Sequence, residues 1–432
     1  MARVVVIGGG FGGLASAVRL AKLGHDVTLL ERSQTLGGAL APVAQDGFAW
    51  DAGATSTLLP AVIRDLFRKS GRPVERELEL VQRDLLREHR FEDGTTLALP
   101  AGRAAQIAAF DALGSGLGRR WVDHVASYSD DWDVLRRHYL EVPWDRDALP
   151  RELAARLGSR EVLHKRLRRT FRDERLRLVA GHPFAAEGHD LRNVPAWAGV
   201  TAYVEQRFGA WTVTGGMAAL ASTLGNRLVT RRVTVETGTA AGDLVLRNGR
   251  VAAVRTPAGD VAADVVVCAI DPRRLPALAG HVQRTMPAIP PVVSYLGLDG
   301  DVPDLPHEVV LHGDPTLVVR PGGTAPEGGT AWTVHGRGHL AEDLLSALAR
   351  HRIDVRSHVV TRLDCAPRDL VERWGGSPMG VLWQGRGTVR QRLGPTTPIE
   401  GVYAAGAHAT PGGGLPYVGL SAALVAQTVG PA

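Results

Sequence analysis

Three glycines near the start, Gly8, Gly10 and Gly13, fall at the spacing G-x-G-x-x-G within the run Gly8-Gly9-Gly10-Phe11-Gly12-Gly13, and an acid, Glu31, follows about 20 residues further on. Glycines so spaced allow a tight turn, bare backbone against a pyrophosphate, and close packing of a helix on a strand. The anion would rest on the helix N-terminus, where unpaired N–H groups and the helix dipole favour negative charge. A carboxylate at Glu31 would accept ribose hydroxyls and repel a 2′-phosphate, so NADP is disfavoured there. No Ser-His-Asp order, metal-ligand cluster or carboxylate pair can be argued from spacing, and no metal is expected. That pattern suits an enzyme whose hard chemistry belongs to a bound cofactor.

The elements that must position these residues are legible around them. Arg3-Val4-Val5-Val6-Ile7 is β-branched without alternation, as in a parallel strand buried on both faces. Residues 14–21 have helical composition, and Asp26-Val27-Thr28-Leu29-Leu30 reads as the next strand, with Glu31 at its end. Together they predict a βαβ unit. Downstream, Asp93-Gly94 and Asn248-Gly249 read as hairpin turns. At the far end Gly401-Val402-Tyr403-Ala404-Ala405-Gly406 reads as a strand closed by glycine, followed by a loop and a helix over residues 420–428.

The bulk properties narrow the class. A chain of 432 residues exceeds what one core usually supports, so two domains are expected. The formal charge of +5 is almost wholly arginine, since Lys22, Lys69 and Lys165 are the only lysines, and no stretch alternates basic residues with aromatics as a nucleic-acid groove would. No nucleic-acid partner is expected. Cys268 and Cys365 are too few for a disulfide framework, and Cys268 sits in the apolar run 265–270 as a core residue. Neither a secretory leader nor a spanning helix is apparent, so a cytoplasmic location is expected, with peripheral membrane contact open. The arginine-rich stretch 151–177 reads either as a face for anionic lipid or as a solvated helix face with pairs such as Asp173 and Arg177.

Beyond Glu31 come Arg32-Ser33-Gln34-Thr35-Leu36-Gly37-Gly38 and then Phe48-Ala49-Trp50-Asp51-Ala52-Gly53-Ala54-Thr55. With the opening glycines and the C-terminal segment, these resemble the phytoene-desaturase-like branch of the FAD-dependent amine oxidase superfamily. The resemblance implies an α/β fold: a Rossmann-like FAD-binding domain over 1–72, 209–275 and 376–432, interleaved with an α+β substrate domain, a sheet capped by helices, over 73–208 and 276–375. It implies that FAD is held by Gly8, Gly10, Phe11, Gly12, Gly13, Glu31, Arg32, Gly37, Gly38, Gly53, Ala54, Thr55, Val233, Gly406, Ala407, Val418, Gly419 and Leu420. Backbone N–H groups of the last three would face the pyrimidine edge of the flavin, which gathers negative charge on reduction. One departure is Ala39, where the family commonly has arginine after the glycine pair. Another is Ala409-Thr410-Pro411-Gly412, where the family often reads T-H-P-G and this chain has its histidine two positions earlier.

His408 either assists proton movement at the flavin or is a neutral histidine bonded to loop backbone. Tyr417 either borders the flavin face or caps the final helix. By resemblance the chain is a dehydrogenase or desaturase acting on a largely apolar small molecule, an isoprenoid or carotenoid precursor being the leading candidate. A second nucleotide fingerprint is absent, so electrons would leave to oxygen, a quinone or another carrier. Two further readings share the fold: an amine or protoporphyrinogen-type flavin oxidase, for which few lysines are available, and a non-catalytic lipid- or prenyl-binding protein.

Overall fold

Val4, Val5, Val6 and Ile7 are each at most 2 % exposed, so apolar side chains on both faces of this run are buried. The computed structural model describes residues 1–145 and 147–432, and in it this run is the central strand of a parallel sheet. Strands Val402–Ala404, Val265–Cys268, Arg3–Ile7, Asp26–Leu30 and Thr234–Glu236 stand side by side in that order, all parallel. Helices Phe11–Lys22, Ala218–Thr230 and Leu415–Val429 pack together against one face. The antiparallel strands Asp243–Arg247, Arg250–Thr256 and Gly259–Ala262 share the core of the other face, joined by the short helix Pro276–Val282. Both Asn248 and Gly249 adopt positive φ at the turn between the first two of these strands.

A second sheet has seven strands in the order Val359–Cys365, Val292–Asp299, Gly329–Arg337, Thr316–Pro321, Val309–Leu311, Leu85–Arg90 and Thr96–Pro100. Its neighbours are antiparallel except for Val309–Leu311 beside Leu85–Arg90. Register decides which side chains share a face, because residues directly opposite point the same way and alternate residues point apart. Val309, Leu311, Leu317, Val319, Trp332 and Val334 fall on one face and form an apolar core beneath helix Leu344–Arg350. The opposite face carries Arg87, His89, Glu308, His312, Arg320, His335 and Arg337. This polar face meets helices Glu174–Ala185 and Val200–Phe208 rather than open solvent, as the Arg87–Glu205 ion pair and the His89–His182 ring contact show.

The stretch 151–177 divides into Arg151–Leu157, Leu163–Thr170 and the start of Glu174–Ala185. The pairing expected of Asp173 with Arg177 is not formed. Asp173 instead caps its helix by accepting from the Arg175 N–H and pairs with the Arg175 guanidinium, while Arg177 reaches Glu174 at 3.8 Å. Among the described residues no helix is long and apolar enough to cross a membrane.

Candidate active site

Strand order alone brings both ends of the sequence together. Val402–Ala404 lies beside Val265–Cys268, which lies beside Arg3–Ile7, so the turn after residue 7 and the turn after residue 404 open on the same edge. A Cβ placed on Gly12 would sit 2.8 Å from the Gly406 Cα, so the two turns touch backbone to backbone. One cavity of about 890 Å³ runs from this contact, past residues 37–43 and 52–58, to the polar face of the seven-stranded sheet.

The first half of the cavity is made of backbone. Helix Phe11–Lys22 starts at Gly10 without a side-chain cap, and its hydrogen bonds begin with the Leu14 N–H to the Gly10 carbonyl. The buried N–H groups of the first turn are thus free of helical partners, and those of Phe11 and Gly12, which line the cavity, are left for an anion. Glu31 accepts from the Gly9 N–H (2.7 Å) and the Ser33 N–H (2.7 Å), fixing the turn and its own loop with one carboxylate. Gly37 donates its N–H to the Gly9 carbonyl, and a Cβ on Gly38 would lie 3.0 Å from the Gly10 Cα. Gly10 itself has room: a Cβ there meets nothing of the protein nearer than 4.0 Å, so the space it would fill is cavity. Two glycine runs in backbone contact, lining the cavity beside an uncapped helix end, fit a dinucleotide diphosphate.

The candidate residues divide as follows. Gly8, Gly10, Phe11, Gly12, Glu31, Arg32, Gly37, Gly38, Gly53, Ala54, Thr55, Gly406, Ala407 and Val418 line the cavity, as do His408 and Tyr417. Gly13 does not; a Cβ there would be 1.8 Å from the Gly8 carbonyl oxygen, so its task is to let the helix close on the strand. The Arg32 guanidinium donates to the carbonyls of Glu372 and Arg373 at 2.5 Å each, closing the last turn of helix Pro367–Trp374. Val233 is not in the lining: it is buried in the core of the parallel sheet, just before its strand, with its N–H on the Leu228 carbonyl.

The final helix begins at Leu415, five residues before the expected start. Val418 therefore bonds its N–H to the Gly414 carbonyl (2.9 Å), while Gly419 packs against Val62 and Phe11, and Leu420 against the helical core. The open donors belong to the first turn, Leu415 and Tyr417, because Pro416 has no N–H and Gly414 supplies no side-chain cap. Gly414, at φ 93°, takes a left-handed conformation that spared the turn any sequence signal of a polar cap.

His408 is buried, and its Nε2 donates to the Ser377 carbonyl at 2.9 Å. Burial lowers its pKa despite Asp271, whose carboxylate lies 3.8 Å from Nδ1, so the imidazole is neutral at ordinary pH. Tyr417 is held protonated by burial, against an opposing hydrogen bond with Thr201. Asp51, in the segment before Gly53, accepts from the backbone N–H groups of Met217 and Ala218, although burial leaves its pKa raised.

The second half of the cavity is made of side chains that sequence spacing did not single out. Glu308 pairs with Arg87 (3.1 Å) and Arg320 (2.8 Å), and Arg87 also pairs with Glu205. Burial alone would raise the Glu308 pKa, but Arg320 and Arg87 outweigh it and hold the carboxyl well below its usual range. Burial with Arg87 lowers His182 to about 3, and burial lowers His312 to about 4. Arg392 lies under the C-terminal loop, donating to the Pro411 and Val381 carbonyls and stacking 4.7 Å from the Trp383 ring centre.

Comparison with known proteins agrees with this geometry. The family model described as "Flavin containing amine oxidoreductase" matches residues 11–430. A 4,4'-diapolycopene oxygenase of Methylomonas sp is 26 % identical, with 99 % of this chain and 98 % of that protein covered. A zeta-carotene-forming phytoene desaturase of Myxococcus xanthus is 27 % identical, covering 98 % of this chain and 93 % of its own. A solved variant of putrescine oxidase superposes with a TM-score of 0.70 at 15 % identity, over 99 % of this chain and 97 % of that one, a likeness of fold.

Proposed function

Because the chain belongs to the flavin-containing amine oxidoreductase family, and is an FAD-dependent oxidoreductase, we propose that it dehydrogenates a largely apolar chain, introducing a carbon–carbon double bond. Bound FAD supplies the two-electron acceptor that no side chain here can supply. The observation that carries the reading is the backbone contact of Gly12 with Gly406, which makes the diphosphate cradle and the loop 406–414 two sections of one cavity.

Around that cavity the protein's part is to bind, orient and exclude water. Phe11 and Gly12 offer N–H groups to the diphosphate. The uncapped first turn of Leu415–Val429 faces the cavity from the other side, where its positive end favours negative charge. Arg392 holds the intervening loop through the Pro411 carbonyl. Leu135, Leu140, Phe184, Trp197 and Trp383 supply an apolar wall for the substrate. His408, neutral and bonded to Ser377, is a positioning residue for the loop. The desaturases among its relatives support carbon–carbon rather than carbon–nitrogen oxidation. So does the lining, in which none of Lys22, Lys69 and Lys165 takes part. Electrons then leave to oxygen, a quinone or another diffusible carrier.

The purified protein should show flavin absorption bands, and phytoene or a shorter isoprenoid, as the hydrocarbon or its carboxylic acid, added without oxygen should bleach them. A flavin-loaded protein that stays oxidised with phytoene and with shorter isoprenoids, yet is bleached by an amine, would reverse this reading.

A further inference from the structure

Hydrocarbons offer nothing to a charged wall, yet the substrate side of the cavity is floored by the polar face of the seven-stranded sheet. Most of that charge is already matched: Arg87 and Arg320 share Glu205 and Glu308. Arg337 is different. It lines the cavity, and no carboxylate lies within ion-pair distance of it among the described residues. Its Nε donates to the Ala186 carbonyl (2.7 Å) and its Nη2 to the Met379 sulfur (3.2 Å), which leaves both N–H groups of Nη1 and the second of Nη2 without an acceptor among the described residues.

The nearby acids are engaged elsewhere. Glu187 is close enough to act on Arg337 through its field but faces His189 at 3.5 Å, and Asp314 accepts from the His339 N–H. Burial lowers the Arg337 pKa to about 10, still charged at neutral pH. A half-buried cation whose end-on fork, one N–H of Nη1 beside the second N–H of Nη2, is unused is a costly arrangement unless an anion completes it. The fork geometry of a guanidinium matches a carboxylate.

Resting on the desaturase reading above, we infer that the substrate is an amphipathic acid, its carboxylate held by Arg337 and its apolar chain laid along Leu135, Phe184, Trp197 and Trp383. Met379 ties this anchor to the redox end, because its sulfur accepts from Arg337 while its carbonyl backs Gly413 in the C-terminal loop. The anchored group and the loop 406–414 are therefore separated by a single residue of protein.

The test is a titration of the purified holoprotein with laurate, methyl laurate and dodecylamine, read by perturbation of the flavin band and by tryptophan emission. Laurate should bind about tenfold more tightly than its methyl ester, the worth of one charge-assisted hydrogen-bonded pair. Arg337→Met should abolish that preference while the flavin-to-protein ratio is unchanged, and Arg337→Lys should keep part of it. Equal binding of laurate and methyl laurate by the native protein, tighter binding of the amine, or an undiminished preference in Arg337→Met would overturn the inference. The laurate and ester comparison needs only native protein, so a variant that fails to fold does not remove the test. A colourless preparation would defeat the flavoenzyme reading, and the tryptophan signal would still decide the carboxylate preference.

Discussion

The two halves of the cavity are built by opposite means. Around the expected diphosphate the walls are main chain, with Gly10 facing Gly38, Gly12 against Gly406, and donors left over from two uncapped helix ends. At the other end the walls are side chains on or beside four strands and from two helices, joined by buried ion pairs and neutral imidazoles. A backbone wall fails when something is added to it, and a side-chain wall fails when something is removed. Cofactor binding and substrate-side stability should therefore respond to different substitutions.

The largest effect should come from Gly13→Val, where the new Cβ would overlap the Gly8 carbonyl oxygen; the purified protein should carry no flavin, read from its visible spectrum. Gly10→Ala sharpens the point. Its Cβ has room within the protein, so flavin content should fall while the melting temperature of the flavin-free protein stays put. If flavin binding survives, the space beside Gly10 is not the diphosphate site.

Next in size, Glu308→Ala should destabilise the fold by about 3 to 5 kcal/mol in urea unfolding, because Arg87 and Arg320 would lose their shared buried carboxylate. Flavin should still bind below the new melting point. A change under about 1 kcal/mol, the range of exposed pairs, would mean that water reaches this cluster.

A smaller and graded effect is expected from pH. His182 and His312 have folded-state pKa values below the ordinary 6.5, at about 3 and about 4. Depressed values contribute stability that is complete above the unfolded pKa and lost as pH falls toward the folded one. The melting temperature should be level above neutrality and decline from about pH 6.5 to about 3. His182→Gln should make that decline shallower, and an unchanged slope would place the acid sensitivity elsewhere.

The smallest effect is assigned to His408→Gln, which can keep a donor for the Ser377 carbonyl. Turnover should fall less than about tenfold with no movement of the pH–rate profile. A loss of about a thousandfold with a vanished pH limb would instead make His408 a proton carrier.

The same contrast decides how much could be read from the sequence. The parallel sheet was legible because Val4 to Ile7 and Val265 to Cys268 are apolar without alternation, and the cradle because glycine is what a backbone wall requires. The polar wall was not. Thr333, His335 and Arg337 alternate with Trp332, Val334 and Gly336, a pattern that a solvent-facing sheet would also show. Only the helices lying over that face turn its charges inward, and nothing in the strand records their presence. The start of the last helix was missed for a related reason. Gly414, Leu415 and Pro416 look like loop, yet a positive φ at Gly414 and a proline in the first turn open the helix without a polar cap.

The meeting of Gly12 with Gly406 also has a bearing on biosynthesis. On the ribosome the glycine turn emerges early, but its partner strand Val402–Ala404 and the helix Leu415–Val429 are made hundreds of residues later. Until they arrive, strand Val265–Cys268 has one uncovered edge, and the nascent chain has no complete berth for its nucleotide. Chains interrupted before residue 402 should therefore be colourless and aggregation-prone when purified.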